Sequence, residues 1–341
     1  MGIRGLNTCL QTSATSSIKN VDWSSFSSKR IGVDIQCFLY RAIANQLCPL
    51  TVIAEQIVKF RQNNITPIYV FDGKPPVEKD TVVIKRRTDR NAALELCKKL
   101  RQDLEKTTDS ILKESLLKQI QDLESKNPSI TFETKNEIKK FMYTVGVLFV
   151  NATSEADSLL AYLFKRGIID AVATFDLDLL PRGTNVMVPK NIKNSPGTAW
   201  SYYDYNVIKR SLCLNDSQFV ELCVLMGSDY TPDLAIVPWT TALNSIRSGI
   251  SLRNIWERHT FSSWRRVETV NTTDIDMKKL LRAKNLLLGI DDMLETLLEP
   301  DQIAKIAKVE LKNEQDSFVE FKKLYSTWDN DWWHWLGMKS D

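Results

Sequence analysis

Seven acidic residues in a few short blocks carry the chemistry this sequence offers. Asp34 ends the run RIGVD, Asp72 ends IYVFD, and Asp229 sits in MGSDY. Glu155 and Asp157 lie two apart in TSEADS, as do Asp176 and Asp178 in TFDLDLL. Several of these acids follow apolar runs that read as strands, and a buried strand end is a costly place for an unpaired carboxylate. Glu155 and Asp157 fall at a helix start, where free backbone N–H groups favour acids and the first turn tilts both toward one pocket. Carboxylates gathered in one place repel each other at neutral pH. Hard divalent cations with oxygen ligands remove that repulsion, and Mg²⁺, with Mn²⁺ as a substitute, suits the donor set. Two such ions about 4 Å apart hold a phosphate, lower the pKa of a water and stabilise a departing oxygen. Any one acid taken alone reads more simply as a solvated loop residue. The recurrence of acids after strands argues for a shared metal site, with a kinase- or phosphatase-like metal fold as the main competitor. No G-x-x-x-x-G-K-[ST] or G-x-G-x-x-G is present, so nucleotide-triphosphate chemistry has no support.

The other reactive side chains narrow the choice. The six cysteines, at 9, 37, 48, 97, 213 and 223, form no C-x-x-C pair, and the only histidines are His259 and His334. Zinc is therefore not expected, and the cysteines read as buried apolar residues in a reduced compartment. Between 79 and 101, eight Lys/Arg (79, 85, 86, 87, 90, 98, 99, 101) face three acids (80, 89, 95). The block IKRR at 84–87 reads as a phosphate-contacting patch, or else as the wet face of a helix. Net charge is +3 over 341 residues, so overall charge does not itself argue for nucleic acid. Apolar runs are too short to span a bilayer, no secretory signal is seen, and Leu6 argues against myristoylation after MG.

The elements that must position the acids follow from periodicity. Strands are predicted at 30–35, 66–71, 145–150, 172–174 and 185–189. Helices are predicted from Phe38 to Phe60, in two pieces broken near Pro49, and over much of 79–126 as a hairpin or arch. Further helices are expected at Lys135–Tyr143, Ala152–Phe164 with Thr153-Ser154 as cap, Asp216–Met226, Ser245–Trp256, Asp276–Leu298 and Asp301–Lys312. The alternation of strand and helix predicts an α/β core with a mainly parallel sheet, whose ligands gather at the carboxyl ends of the strands.

With these blocks in order, the chain resembles the flap endonuclease/XPG family of structure-specific 5′ nucleases. MGIRGL, IGVDIQCFLYRA and IYVFDGKPP resemble its N-terminal motif; FVNATSEADSLLAYL, ATFDLDLL and LMGSDY resemble its internal one. The resemblance covers about residues 1–260. It implies a PIN-like 5′-nuclease fold divided into an N-terminal nuclease segment (1–78), a helical arch or gateway (79–143), an internal nuclease segment (144–230) and a helical C-terminal region (231–341). It implies two Mg²⁺ ions, with Asp34, Asp72 and Glu155 on the first and Asp157 between the two. Asp176 and Asp178 would ligate the second, with Asp229 direct or through water. Lys79 and Arg86 would engage the scissile phosphate, with Lys85, Arg87 and Arg90 as further contacts. Tyr40 would stack on a base, a role that competes with that of an ordinary half-buried aromatic. Gly2 would let bent DNA pass close to the acids.

The chain departs from the family at Asp157, where Glu is usual, and at 231–249, where Val237-Pro238-Trp239 replaces the hairpin glycines. A weaker grip on duplex DNA is expected there. Gln315, Phe318 and Phe321 do not make a convincing sliding-clamp motif. The aromatic run Trp328, Trp332, Trp333 and Trp335 reads as a hydrophobic seal. The expectation is a monomeric, metal-dependent 5′ nuclease acting on DNA with a 5′ flap, nick or free end, in replication, repair or recombination. Its compartment would be the nucleus for a cellular protein, or a cytoplasmic replication site for a large DNA virus. The alternatives are a nuclease of this fold preferring RNA or nicked duplex, and a non-catalytic nucleic-acid-binding scaffold.

Overall fold

In a computed structural model of the chain, the structure describes residues 2–190, 200–263 and 270–289. The first part runs α1 (Leu6–Ser13), β1 (Ile18–Val21), β2 (Arg30–Asp34), α2 (Ile35–Ala44), α3 (Pro49–Gln62) and β3 (Thr66–Phe71). Three helices follow, α4 (Asp80–Lys106), α5 (Ser110–Lys126) and α6 (Phe132–Thr144). Then come β4 (Phe149–Asn151), α7 (Ala156–Lys165), β5 (Ala171–Ala173), β6 (Val186–Pro189) and β7 (Trp200–Tyr203). The chain continues as α8 (Tyr205–Leu212), α9 (Asp216–Leu225), α10 (Trp239–Arg247), α11 (Leu252–Ser263) and α12 (Val270–Leu288).

The strands form one sheet in the order β1-β7-β6-β5-β2-β3-β4. The pairs β6-β5, β5-β2, β2-β3 and β3-β4 are parallel. The β1-β7 and β7-β6 pairs are antiparallel, so the sheet is mixed. Strand alternation gives each face its own core. In β3, Ile68 and Val70 join a cluster built with α1, α7 and α9, while Tyr69 and Phe71 join one built with α2, α3 and α6. Gly32 in β2 lets α7 lie close, since a Cβ there would sit 2.6 Å from Leu160 and Ile169. The two helical pieces around Pro49 are α2 and α3, with Pro49 in the first turn of α3, where its missing N–H costs nothing. The 79–126 segment forms α4 and α5, which pack together and are tied by Arg101 to Glu124 at 2.6 Å.

Five expectations need correction. The strand at 145–150 shrinks to Phe149–Asn151, because Gly146 turns the chain at φ +66° after α6. The helix at Ser245–Trp256 is two helices, broken by Gly249 at φ +75°. Thr153 and Ser154 do not cap α7; their carbonyls accept the N–H groups of Lys74 and Gly73 (3.1 and 2.7 Å), and the helix begins at Ala156. Strands β1 and β7 extend the sheet beyond its parallel part. The helix predicted from Asp276 starts at Val270, and its predicted end at Leu298 lies outside the described residues, as do 301–312, Gln315, Phe318, Phe321, His334 and the Trp328–Trp335 run. Among the described residues no helix is long and apolar enough to cross a membrane.

Candidate active site

Parallel strands put their carboxyl ends on one edge. Asp34 is the last residue of β2, Asp72 follows β3, and Asp176 and Asp178 follow β5. Strands β5, β2, β3 and β4 are neighbours, so the loop leaving β4 brings Glu155 and Asp157 to the same edge. The join between Asp72 and this loop is tight. Asp72 Oδ1 accepts the Ala156 N–H of α7 at 2.8 Å, serving as a cap supplied from another strand. A Cβ on Gly73 would collide with the carbonyl oxygens of Ala152 and Thr153. Gly73→Ala is therefore expected to lower unfolding free energy by about 1–3 kcal/mol, read by chemical denaturation, and to pull Asp72 away from Glu155.

The remaining acids are held individually. Thr174 Oγ1 donates to Asp34 Oδ2 at 3.0 Å and accepts the Asp176 N–H at 3.2 Å. Cys37 Sγ lies 3.3 Å from the Phe175 N–H, beneath the same loop. The Ile3 N–H donates to Asp178 Oδ1 at 2.7 Å, bringing the amino-terminal segment into the site. Gly2 stands at φ +120°, and a Cβ on it would lie 2.8 Å from Asp178 Oδ1 and closer still to Asp176 Oδ1. Lys79 Nζ pairs with Glu155 Oε1 at 2.5 Å, and Arg86 Nη2 with Asp229 Oδ2 at 2.6 Å. Tyr230 and Arg182, neither singled out in the sequence, complete the wall: Tyr230 Oη donates to Glu155 Oε2 at 2.6 Å and accepts from Arg182 at 2.9 Å. Tyr230 was within reach of sequence reading through the GSDY block; Arg182, in LLPRG, carries no local signal. Tyr40 is half-buried on α2; Lys85 and Arg87 are exposed on α4, and Arg90 partly so.

The electrostatics report a deficit of positive charge. Burial, then the neighbouring Asp72, pushes Asp34 up to about 6. Burial, then Asp157, pushes Asp176 up to about 6, and burial, then Asp176, pushes Asp178 up to about 8. Asp157 is raised well above the carboxylate range by burial, Asp34 and Glu155. Asp72 reaches solvent at its edge, yet desolvation by the surrounding protein, with Glu155 adding to it, raises it as well. Burial opposes the Lys79 ammonium, yet Tyr230, Glu155 and Asp157 outweigh it and hold its pKa above the usual lysine range. Among the described residues no group of three or more Asp, Glu, His or Cys side chains is drawn close enough to hold a metal ion as it stands. The donors nonetheless fit a hard divalent cation: all are carboxylate oxygens, and burial, then neighbouring acids, raises Asp34, Asp72, Asp157, Asp176 and Asp178, a cost that such a cation would relieve.

The XPG N-terminal domain model matches residues 1–93, and the XPG I-region model matches residues 146–229. Flap endonuclease 1 of Entamoeba dispar is 29% identical over 271 residues, spanning 75% of this chain and 69% of the relative. Among solved structures, the catalytic core of Rad2 in complex with DNA substrate matches with a TM-score of 0.60 at 18% identity, covering 98% of this chain and 100% of that one. Flap endonuclease-1 from Methanococcus jannaschii also gives 0.60, at 16% identity and 94% coverage of each chain. These two structures share the mixed α/β sheet flanked by helices.

Proposed function

Because the chain belongs to the flap endonuclease/XPG/Rad2 family of structure-specific 5′ nucleases, we propose that it is a divalent-metal-dependent 5′ nuclease cutting branched DNA, with a 5′ flap or free 5′ end as preferred substrate. The observation that carries this reading is the gathering of Asp34, Asp72, Glu155, Asp157, Asp176 and Asp178 on one sheet edge, with a buried lysine among them. Asp34, Asp72 and Glu155 would hold a first ion and Asp176, Asp178 and Asp229 a second, with Asp157 between. When bound, Mg²⁺ or Mn²⁺ supplies a water of lowered pKa and positive charge for the leaving oxygen.

The chain's own groups do the rest. Lys79 and Arg86, each resting on an acid, would transfer their charge to the scissile phosphate, where preorganised cations contribute most. We read α4 and α5 as the gateway, with Lys85, Arg87 and Arg90 as phosphate contacts along it, and Tyr40 as a stacking surface for an unpaired base. Gly2 keeps the floor beside Asp176 and Asp178 free of a side chain.

A second reading, an altered duplex preference, is favoured by one observation. The Val237 N–H is already donated to the Leu225 carbonyl at 2.9 Å, and Pro238 has none to give, so this turn offers a phosphate little. The test is a labelled panel of 5′ flap, nicked duplex, free-ended duplex and matching RNA, each with Mg²⁺, Mn²⁺ or chelator. Metal-dependent cutting strongest on the 5′ flap is expected. Stronger cutting of RNA or nicked duplex would favour the second reading, and binding without cutting would favour a scaffold.

A further inference from the structure

One hydroxyl joins parts of the chain that are far apart in sequence. Tyr230 Oη contacts Glu155 Oε2 at 2.6 Å and Arg182 Nη2 at 2.9 Å. A guanidinium has no acceptor and a carboxylate no donor. The direction of both hydrogen bonds is therefore fixed: Arg182 donates to Tyr230, and Tyr230 donates to Glu155. Donation from a cation polarises the hydroxyl and strengthens its own donation to the carboxylate. On its flank, Tyr230 presents its ring to Lys79, whose Nζ lies 4.3 Å from the ring centroid and 2.5 Å from the other Glu155 oxygen. Tyr230, Arg182 and Lys79 are all buried, at 7%, 3% and 8% exposure. A buried arginine is costly unless something uses its charge.

We propose that Arg182 and Tyr230 are positioning residues, a relay that aims Glu155 at the metal while the tyrosine ring separately guides Lys79. This rests on the nuclease reading and assigns two residues that it leaves without a role. The hydroxyl serves the metal side. It holds Glu155 Oε2 whether Lys79 rests on Oε1 or has moved to a phosphate, so the carboxylate keeps its aim as the lysine leaves. The ring serves the phosphate side, as a cation–π face along which the ammonium slides without full hydration.

Because the two duties sit on different atoms of one residue, two substitutions separate them. Tyr230→Phe removes the hydroxyl and keeps the ring. It is expected to weaken Mn²⁺ binding to the full chain, followed by calorimetric titration without DNA, by about tenfold, the scale of lost outer contacts to a metal ligand. Cleavage should shift to higher Mg²⁺ by a similar factor, with kcat at saturating Mg²⁺ within about threefold of wild type. Tyr230→Leu removes both parts, and its kcat should fall further and not be rescued by metal. Arg182→Met leaves the tyrosine in place and should weaken Mn²⁺ binding in the same direction by a smaller factor, which keeps the test decisive if one variant folds poorly. A purely structural role would lower thermal stability without moving the metal midpoint. Wild-type protein that binds Mn²⁺ and cuts, with Tyr230→Phe matching it in both, would overturn the relay alone. Wild-type protein that binds no divalent ion would overturn the nuclease reading with it.

Discussion

Asp176→Ala is expected to abolish cleavage of 5′ flap DNA and, in the same protein, to raise the unfolding temperature measured in chelator at pH 7.5. The first effect follows from removing an oxygen donor from the proposed second ion. Metal stabilisation of the transition state amounts to several kcal/mol, so the rate should fall by about 10³-fold or more. The second effect follows from the crowding of the acids. Burial and then Asp157 push Asp176 up to about 6, so its ionised form at pH 7.5 is held in the fold against a cost. That cost is on the order of 2–3 kcal/mol at about 1.4 kcal/mol per pH unit. Loss of the Asp178 N–H contact at 3.3 Å offsets part of it. A net gain on the order of 1 kcal/mol, or a few degrees, remains. Loss of function with gain of stability is the signature of a strained active site. An Asp176→Ala protein that cuts like wild type would remove the metal assignment; one that melts earlier than wild type in chelator would remove the electrostatic account.

Without divalent metal, stability is expected to fall as pH rises from about 4 to about 8. Below the ordinary aspartate value of 3.8, folded and unfolded chains both hold these protons. Above it, the unfolded chain releases them first, so each step upward favours unfolding until the folded groups ionise as well. That point lies near 6 for Asp34 and Asp176 and near 8 for Asp178. Their raised values therefore contribute stability that is fully present in acid and lost through this window. Mg²⁺ reverses the trend, because it binds the ionised carboxylates and releases their protons. The stabilisation by Mg²⁺ should grow with pH and level off above about 8. Calorimetry from pH 5 to 9, with chelator or with Mg²⁺, checks both slopes. A flat curve in chelator would contradict the deficit of positive charge described for this site.

Asp34, Asp72 and the Asp176/Asp178 pair are legible together because each follows a run whose apolar periodicity is itself legible. The runs before Asp34 and Asp72 read as strands, and the fold places them side by side. What periodicity hides is partnership across the chain. Strand β1, IKNV, is short and half polar, and it is a strand only because β7 lies beside it. The start of α7 misleads for the same reason: Thr153 and Ser154 look like caps, but Asp72, from another strand, takes the first N–H. Arg182 has no sequence signal, since its buried guanidinium donates to a tyrosine 48 residues later. The pairings of Lys79 with Glu155 and Arg86 with Asp229 are likewise invisible in the basic block alone.

Synthesis order bears on when this protein can first act. Ile3 reaches Asp178 across 175 residues, Arg4 donates to the Gly227 carbonyl, and β1 pairs with β7. Contacts of such long range close slowly and late. A nascent chain can pair β2 with β3 and so present Asp34 and Asp72 while Asp176, Asp178 and Asp229 are still unmade. Residues 2–4 are made long before Asp178 and Gly227, so they dock only after those partners exist. A half-made chain thus carries only part of the acid set, and on the proposed reading any cutting would begin only with the finished domain.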